Sequence, residues 1–166
     1  MNDLYQEIMV SRKQTSADTM KKVLLIVATA ILAAAGILIT PIALLAAIVV
    51  GILSFYLISG LNVEYEYQYV NGDIDIDKIM NKSRRKKVAS YAANELEIAA
   101  PSNSHELDSF RNNNSIQIKD YTSGEGKPAW SLVYNTEKGR VLATMELNDV
   151  IMQDLRRIAP RKIKFN

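Results

Sequence analysis

Apolar and polar positions follow three rhythms along this chain. From Val23 to Gly60 no position carries a charge. From Val63 to Asp77 the sequence VEYEYQYVNGDIDID alternates with a period of two. Near the end, Ile151, Leu155 and Ile158 recur at helical spacing. The uncharged run is too long for one ordinary crossing, since a bilayer core takes about 20 helical residues. Thr40-Pro41 divides it, because Thr caps a helix and Pro, lacking an amide proton, fits a first helical position. The pattern predicts one helix over residues 21–38 and a second over 41–59, with the break at 39–41. A half-crossing hairpin and a single long tilted helix are the alternatives. A cleaved signal peptide fits poorly, because 22 mostly polar residues precede the run and a second apolar segment follows directly.

The twofold segment predicts a hairpin. Asn71-Gly72 between alternating stretches is a strong two-residue turn signal. Pairing across it puts Tyr65, Tyr67, Tyr69, Ile74 and Ile76 on one face and Glu66, Asp75 and Asp77 on the other. Short strands are predicted at 88–91 and 96–98, and Pro101 ends the latter. A short helix capped by Ser102 or Asn103 then runs through Leu107 and Phe110. Residues 115–121 alternate as SIQIKDY, and a last hairpin joins 129–134 to 140–147 around residues 135–139. About six or seven strands result. The final helix, 149–158, takes Asn148 as cap, a Leu147–Met152 staple and Pro160 as stop. The predicted organisation is a leader over 1–20, a hairpin over 21–60, a folded domain over 61–159 and a basic tail over 160–166. In the leader, Leu4, Tyr5, Ile8 and Met9 form an apolar stripe, read as a short amphipathic surface helix or a frayed cytosolic segment.

Composition narrows the function classes. The mean hydropathy of -0.03 averages two unlike parts. With no cysteine, disulfides, thiolate chemistry and cysteine-ligated zinc are excluded. A net charge of +2 is too small for a dedicated phosphate-backbone binder, so no nucleic-acid partner is expected. Basic residues flank the hairpin on both sides: Arg12, Lys13, Lys21 and Lys22 before it, and Lys78, Lys82, Arg84, Arg85, Lys86 and Lys87 after it. The positive-inside tendency then places both termini in the cytoplasm, in a multi-pass cell-membrane protein. Within the span Ala30 and Ala34 offer one small-residue face, and Ala43, Ala47 and Gly51 another. Such faces permit close helix packing in lipid, here of the hairpin on itself. The absence of any ionisable group in the span argues against an ion or proton path.

Candidate chemistry is sparse. Glu66, Asp75 and Asp77 suggest a cation ribbon, but the EF-hand pattern fails, with Lys78 at its glycine and Arg84 at its glutamate. The acidic face is better read as solvated or as neutralised by the basic run, and no metal is expected. Lys82, Arg84, Arg85, Lys86 and Lys87 form a candidate site for anionic lipid headgroups, opposed by five acidic residues between Glu64 and Asp77. The one histidine, His105, opens a polar short helix. Gly124-Glu125-Gly126-Lys127 lacks the length and the final Ser or Thr of a phosphate loop. No catalytic residue and no cofactor is assigned. Trp130 is read as a strand core residue.

A curled antiparallel sheet closed by one C-terminal amphipathic helix resembles the pleckstrin-homology architecture. More narrowly, VEYEYQYVNGDIDIDKI, the basic run and LEIAAP resemble two-pass membrane proteins of clostridial Firmicutes, which are similar to bacterial PH-like proteins. The resemblance implies a membrane-anchored α+β protein. An N-terminal transmembrane helical hairpin would precede a PH-like antiparallel β barrel or sandwich capped by a C-terminal helix. It implies no activity. Eukaryotic PH domains often take phosphoinositides on a basic first loop, but Val70-Asn71-Gly72-Asp73 has no Lys or Arg, so that role is not carried over. The expectation is a membrane-anchored cytosolic binding or scaffolding module. Its partners would be the bilayer, anionic headgroups or a protein segment, with oligomeric state open. The alternative is a structural membrane component assembling through its hairpin.

Overall fold

The computed structural model describes residues 4–165. Their contacts divide the chain into a helical unit, Lys13–Val63 with Met80–Arg84, and a β unit formed by the remainder.

In the helical unit, α1 spans Ser16–Leu38 and α2 spans Pro41–Ser59. The first helix begins a turn earlier than apolarity predicts, because Thr15 and Asp18 make a reciprocal capping box. Pro41 takes the first turn of α2, and Thr40 precedes it in extended conformation without a side-chain cap bond. Both helices are long and apolar enough to cross a membrane. Only 6% of the most apolar stretch of α1 and 11% of that of α2 is buried, unlike the core helices of a soluble domain. The pair packs closely at its turn. A Cβ added to Gly36 would lie 2.6 Å from the Leu44 nitrogen, and Thr29 Oγ1 meets Ser54 Oγ at 3.3 Å between the helices.

The β unit carries two four-stranded sheets. The first has the order β1-β2-β3-β4, from Tyr5–Ser11, Val63–Val70, Asp73–Met80 and Arg84–Tyr91. The second has the order β5-β7-β8-β6, from Leu96–Pro101, Trp130–Thr136, Gly139–Met145 and Gln117–Asp120. Asn71-Gly72 forms the β2–β3 turn, both residues with positive φ. Tyr67, Tyr69, Ile74 and Ile76 enter the core as the alternation predicts. The Tyr67 hydroxyl donates to the Tyr121 carbonyl at 2.6 Å, and the Tyr69 hydroxyl donates to Asp154 Oδ2 at 2.6 Å. Asp154 lies in α4, Asp149–Ile158, so the second bond ties the ribbon to the final helix. The Asn148 side chain caps α4, and Leu147, Ile151, Met152 and Leu155 are buried together.

Four expectations are corrected. The leader is no amphipathic helix: Tyr5–Ser11 is an edge strand, antiparallel to β2 from Tyr5↔Val70 to Ser11↔Glu64. Spacing of four places Leu4 and Ile8 on one face in either conformation, so it did not discriminate. The sheets are not purely antiparallel, because β6 runs parallel to β8. The short helical segment, a 3-10 turn at His105–Leu107 followed by α3 at Asp108–Arg111, is capped by Ser104 rather than Ser102 or Asn103. Finally, the basic tail is docked as far as Phe165. Ile163 is buried beside Ala99, which exchanges backbone hydrogen bonds with Lys162 and Lys164, and Phe165 packs edge-on against half-buried Trp130.

Candidate functional site

Lys82 and Ser83 lie in the β3–β4 turn, and from Arg84 on the basic run is the start of strand β4, which sends alternate side chains to opposite faces. Arg85 and Lys87 therefore point to the acidic face of the first sheet. The Arg85 guanidinium donates to Glu66 and stands 3.8 Å from Asp77. Lys87 Nζ lies 2.7 Å from Asp75, which also accepts from Ser90 Oγ. Burial works to raise the Asp75 carboxyl, but the Lys87 and Ser90 hydrogen bonds outweigh it and hold the group below its ordinary value. Glu66, on the face read as solvated or as neutralised by the basic run, is only 1% exposed and is paired with Arg85, in line with the second alternative. The unforeseen strand β1 sets Glu7, which accepts from the Tyr5 hydroxyl at 3.1 Å, on the same face. Carboxylates that already hold cations make a poor metal site. Among the described residues no cluster of three or more His, Cys, Asp or Glu suits a metal.

Arg84 belongs to the helical unit. Its guanidinium carbon lies 4.3 Å from the Tyr56 ring centroid, and the group donates to the Tyr56 hydroxyl. Both side chains border a cavity of about 290 Å³ at the C-terminal end of α2, together with Phe55, Ser59, Asn81 and Ser83. Asn81 donates its amide to the Asn62 carbonyl at 2.9 Å, fixing the β3–β4 turn to the segment that leaves α2. Among the described residues neither Lys82 nor Lys86 has a carboxylate within ion-pair distance; both are exposed. The five-residue cluster is thus divided by the fold: Arg85 and Lys87 are engaged by acids, Arg84 by an aromatic ring, and two lysines face solvent.

The small-residue faces divide as well. Ala47 is buried, Ala43 is partly buried, and a Cβ on Gly51 would meet Thr29 Cγ2 at 3.5 Å, so this stripe of α2 faces α1. Ala30 and Ala34 are exposed instead. The contacting side of α1 carries Thr29 and Gly36, seven residues apart, and Ala30 is turned away from Thr29 by about 100°. In a helix this rich in alanine, spacing alone did not choose the face.

Edge strand β4 also borders an open groove of about 380 Å³ in the β unit, lined among others by Val88, Ser90, Lys119, Tyr121 and Lys138. Ile118, on edge strand β6, is 58% exposed. His105 is bonded to Asp108 at 3.0 Å with its side chain 99% exposed. Nothing in this arrangement assembles a nucleophile, a base and an orienting group.

Beneath the sheets lies a tyrosine cluster that sequence reasoning did not assemble. Tyr91 stacks on Tyr134 with centroids 4.4 Å apart, and its hydroxyl meets that of Tyr121 at 3.1 Å. Burial pushes Tyr67, Tyr69, Tyr91 and Tyr134 well above the ordinary phenol range; the Asp154 carboxylate adds to this at Tyr69 and the Tyr121 hydroxyl at Tyr91. Such phenols are core pillars, not acids or bases for chemistry near neutral pH.

Comparison with curated proteins finds no match. The family described as Bacterial PH-like domain (DUF6106) matches residues 2–165, which takes in the helical segments as well as the sheets. A two-sheet unit closed by a C-terminal helix, with no catalytic constellation among the described residues, agrees with that match: the chain belongs to the bacterial PH-like domain family DUF6106.

Proposed function

We propose that this protein is a membrane-anchored binding or scaffolding module: α1 and α2 cross the bilayer as a hairpin, and the PH-like domain lies on the cytosolic side with both termini. The observation that carries the reading is the outward apolar surface of both helices. Leu24, Ile31, Leu45, Ile52 and Phe55 are exposed in the chain alone, and hydrocarbon is the environment in which such a surface costs nothing. The basic flanks, with Lys21 and Lys22 in the second turn of α1, favour the cytosolic placement. The domain offers recognition elements rather than reactive ones. Edge strand β4, with the groove beside it, supports pairing with an extended protein segment.

The test combines carbonate extraction, protease accessibility in right-side-out and inverted vesicles, and crosslinking from residues 88–91. The reading expects the chain to stay with the membrane, to be cut after Gly60 only from the cytosolic side, and to yield a captured protein that is lost when β4 is mutated. Cleavage after Gly60 from outside intact cells would overturn it.

A second reading, intramembrane assembly without a separate ligand, is favoured by one observation: Ala30 and Ala34 lie on the exposed side of α1, away from α2. Replacing both by leucine abolishes self-association under that reading and leaves partner capture unchanged under the first.

A further inference from the structure

The cavity of about 290 Å³ at the end of α2 combines a cation, polar groups and an apolar border. A helix of 19 residues rises about 28 Å, close to the thickness of a bilayer hydrocarbon core. If α2 crosses, as proposed above, Ser59 and Gly60 stand at one boundary of that core, and the cavity beside them stands at headgroup level. The inference rests on that reading of the hairpin.

The lining is mixed in a way that suits an amphiphile. Ser59, Ser83 and Asn81 supply hydroxyl and amide groups, Arg84 supplies a fixed positive charge, and among the described residues no acidic one lines the space. Arg84 is held by its stack on Tyr56 and one hydrogen bond to that ring's hydroxyl, so the guanidinium is oriented before any ligand arrives. The rest of its planar fork matches two oxygens of a phosphate. Phe55 borders the same cavity, is 76% exposed, and continues into the apolar side of α2. A headgroup seated on Arg84 therefore has a path for its chains.

The turn beside the cavity gives an independent observation. Asn81 and Lys82 both hold positive φ, 50° and 54°, with the Ser83 amide bonded to the Met80 carbonyl at 3.2 Å. In such a hairpin turn the second position favours glycine, and a lysine there carries a strain of about 1 kcal/mol. A lysine thus stands where the backbone favours glycine, next to Asn81 and Ser83 of the cavity wall. Residues held in unfavourable backbone conformations concentrate at binding sites.

We infer that this cavity binds the phosphate of an anionic glycerophospholipid, with Arg84 as the anchoring contact, Lys82 as the supporting charge, and the acyl chains lying along α2 beside Phe55. Arg85 and Lys87 take no part, since they already hold Glu66 and Asp75. The basic cluster thus acts as one or two placed charges rather than as a diffuse positive patch.

The full chain, purified in a neutral detergent, is titrated with phosphatidylglycerol, with phosphatidylcholine and with inorganic phosphate, and bound lipid is counted by native mass spectrometry. The wild-type chain is expected to retain phosphatidylglycerol about tenfold better than phosphatidylcholine, and Arg84→Gln to lose most of that preference. Lys86→Gln removes the same charge from the same strand away from the cavity and is expected to bind like wild type. Arg84→Lys, which keeps the charge but not the fork, guards against misfolding of the glutamine variant and is expected to fall between. Equal retention by Arg84→Gln and wild type overturns the proposal, as does an equal loss in Lys86→Gln. Displacement of the lipid by millimolar inorganic phosphate identifies a soluble phosphate as the ligand and overturns it too. In a parallel carbonate extraction, a wild-type chain released from membranes overturns the hairpin reading and this inference with it. A chain that stays inserted while Arg84→Gln binds normally overturns this inference alone.

Discussion

Replacing Tyr69 by phenylalanine removes one oxygen and tests how the first hairpin is tied to the last helix. The Tyr69 hydroxyl is buried and donates to Asp154 Oδ2 at 2.6 Å; Arg157 holds the other carboxylate oxygen. The Asp154 side chain is itself nearly buried, so water cannot replace the lost donor. A hydrogen bond to a charged group contributes about 1.5–3 kcal/mol, and the surviving Arg157 contact places the expected loss near the middle, at about 2 kcal/mol. Tyr67→Phe breaks a bond to the neutral Tyr121 carbonyl and is expected to cost about 1 kcal/mol. Tyr134→Phe differs in sign. That hydroxyl is fully buried and has no hydrogen-bonding group among the described residues, so its removal is expected to be neutral or stabilising. Thermal unfolding of the full chain in detergent, followed by Trp130 fluorescence and near-ultraviolet circular dichroism, ranks the three variants. For a domain near 100 residues a loss of 1 kcal/mol lowers Tm by about 4–8 °C, so Tyr69→Phe should fall by about 8 °C or more. Equal shifts in all three variants, or Tyr134→Phe as the most damaging, would refute the reasoning.

Alkaline titration should show the same core from another side. Folded Tyr67, Tyr69, Tyr91 and Tyr134 have raised pKa values, chiefly through burial. Their contribution to stability is full below the unfolded phenol value of about 10 and is lost as pH rises through the folded values. The phenolate absorbance of these four, half of the eight tyrosines, should therefore appear only in a cooperative unfolding step, and a smooth noncooperative ionisation of all eight would count against the buried cluster. Arg85→Ala strands the buried Glu66 carboxylate; because Arg85 is half exposed and screened, the expected cost is only about 1 kcal/mol, restored by adding Glu66→Gln, as denaturant midpoints will show. Gly72→Ala meets φ +103° and a Cβ 2.8 Å from that of Ala93, and should cost about 2 kcal/mol. Gly36→Val forces the α1–α2 turn apart at Leu44. Since the chain has no cysteine, a Thr29→Cys, Ser54→Cys pair reports on that packing, and Gly36→Val should slow its disulfide formation.

What the sequence discloses depends on how local the deciding interaction is. Asn71-Gly72, the Asn148 cap and the Thr40-Pro41 break settle their own surroundings, and each element appears where the pattern puts it. Strand β1 does not, because its partner β2 lies beyond the whole apolar hairpin and its own spacing suits a helix as well as a strand. Strand β6 lies within the alternating stretch 115–121, but all four of its residues are exposed and its parallel pairing with β8 is set from outside the segment, so the direction of pairing was not legible. Tail docking rests on Ile163 and Phe165, two apolar positions in an otherwise basic segment.

The candidate site was legible as a composition and illegible as an assignment, for a physical reason. KSRRKK carries charge at nearly every position, so it hides the twofold period that an apolar strand would display. Once the run is a strand, parity decides everything: odd positions Arg85 and Lys87 meet the acids of β2 and β3, and Arg84 turns to Tyr56. Three of the five acidic residues that oppose lipid attraction, Glu66, Asp75 and Asp77, are then met by cations within the protein. They engage two of the five basic residues, Arg85 and Lys87. Net charge over the segment therefore says little about its reach toward an anion. The register of one strand, set by where the Asn81-Lys82 turn falls, fixes which cations remain available; moving that turn by one residue would exchange Arg84 and Arg85 and transfer the free charge to the opposite face.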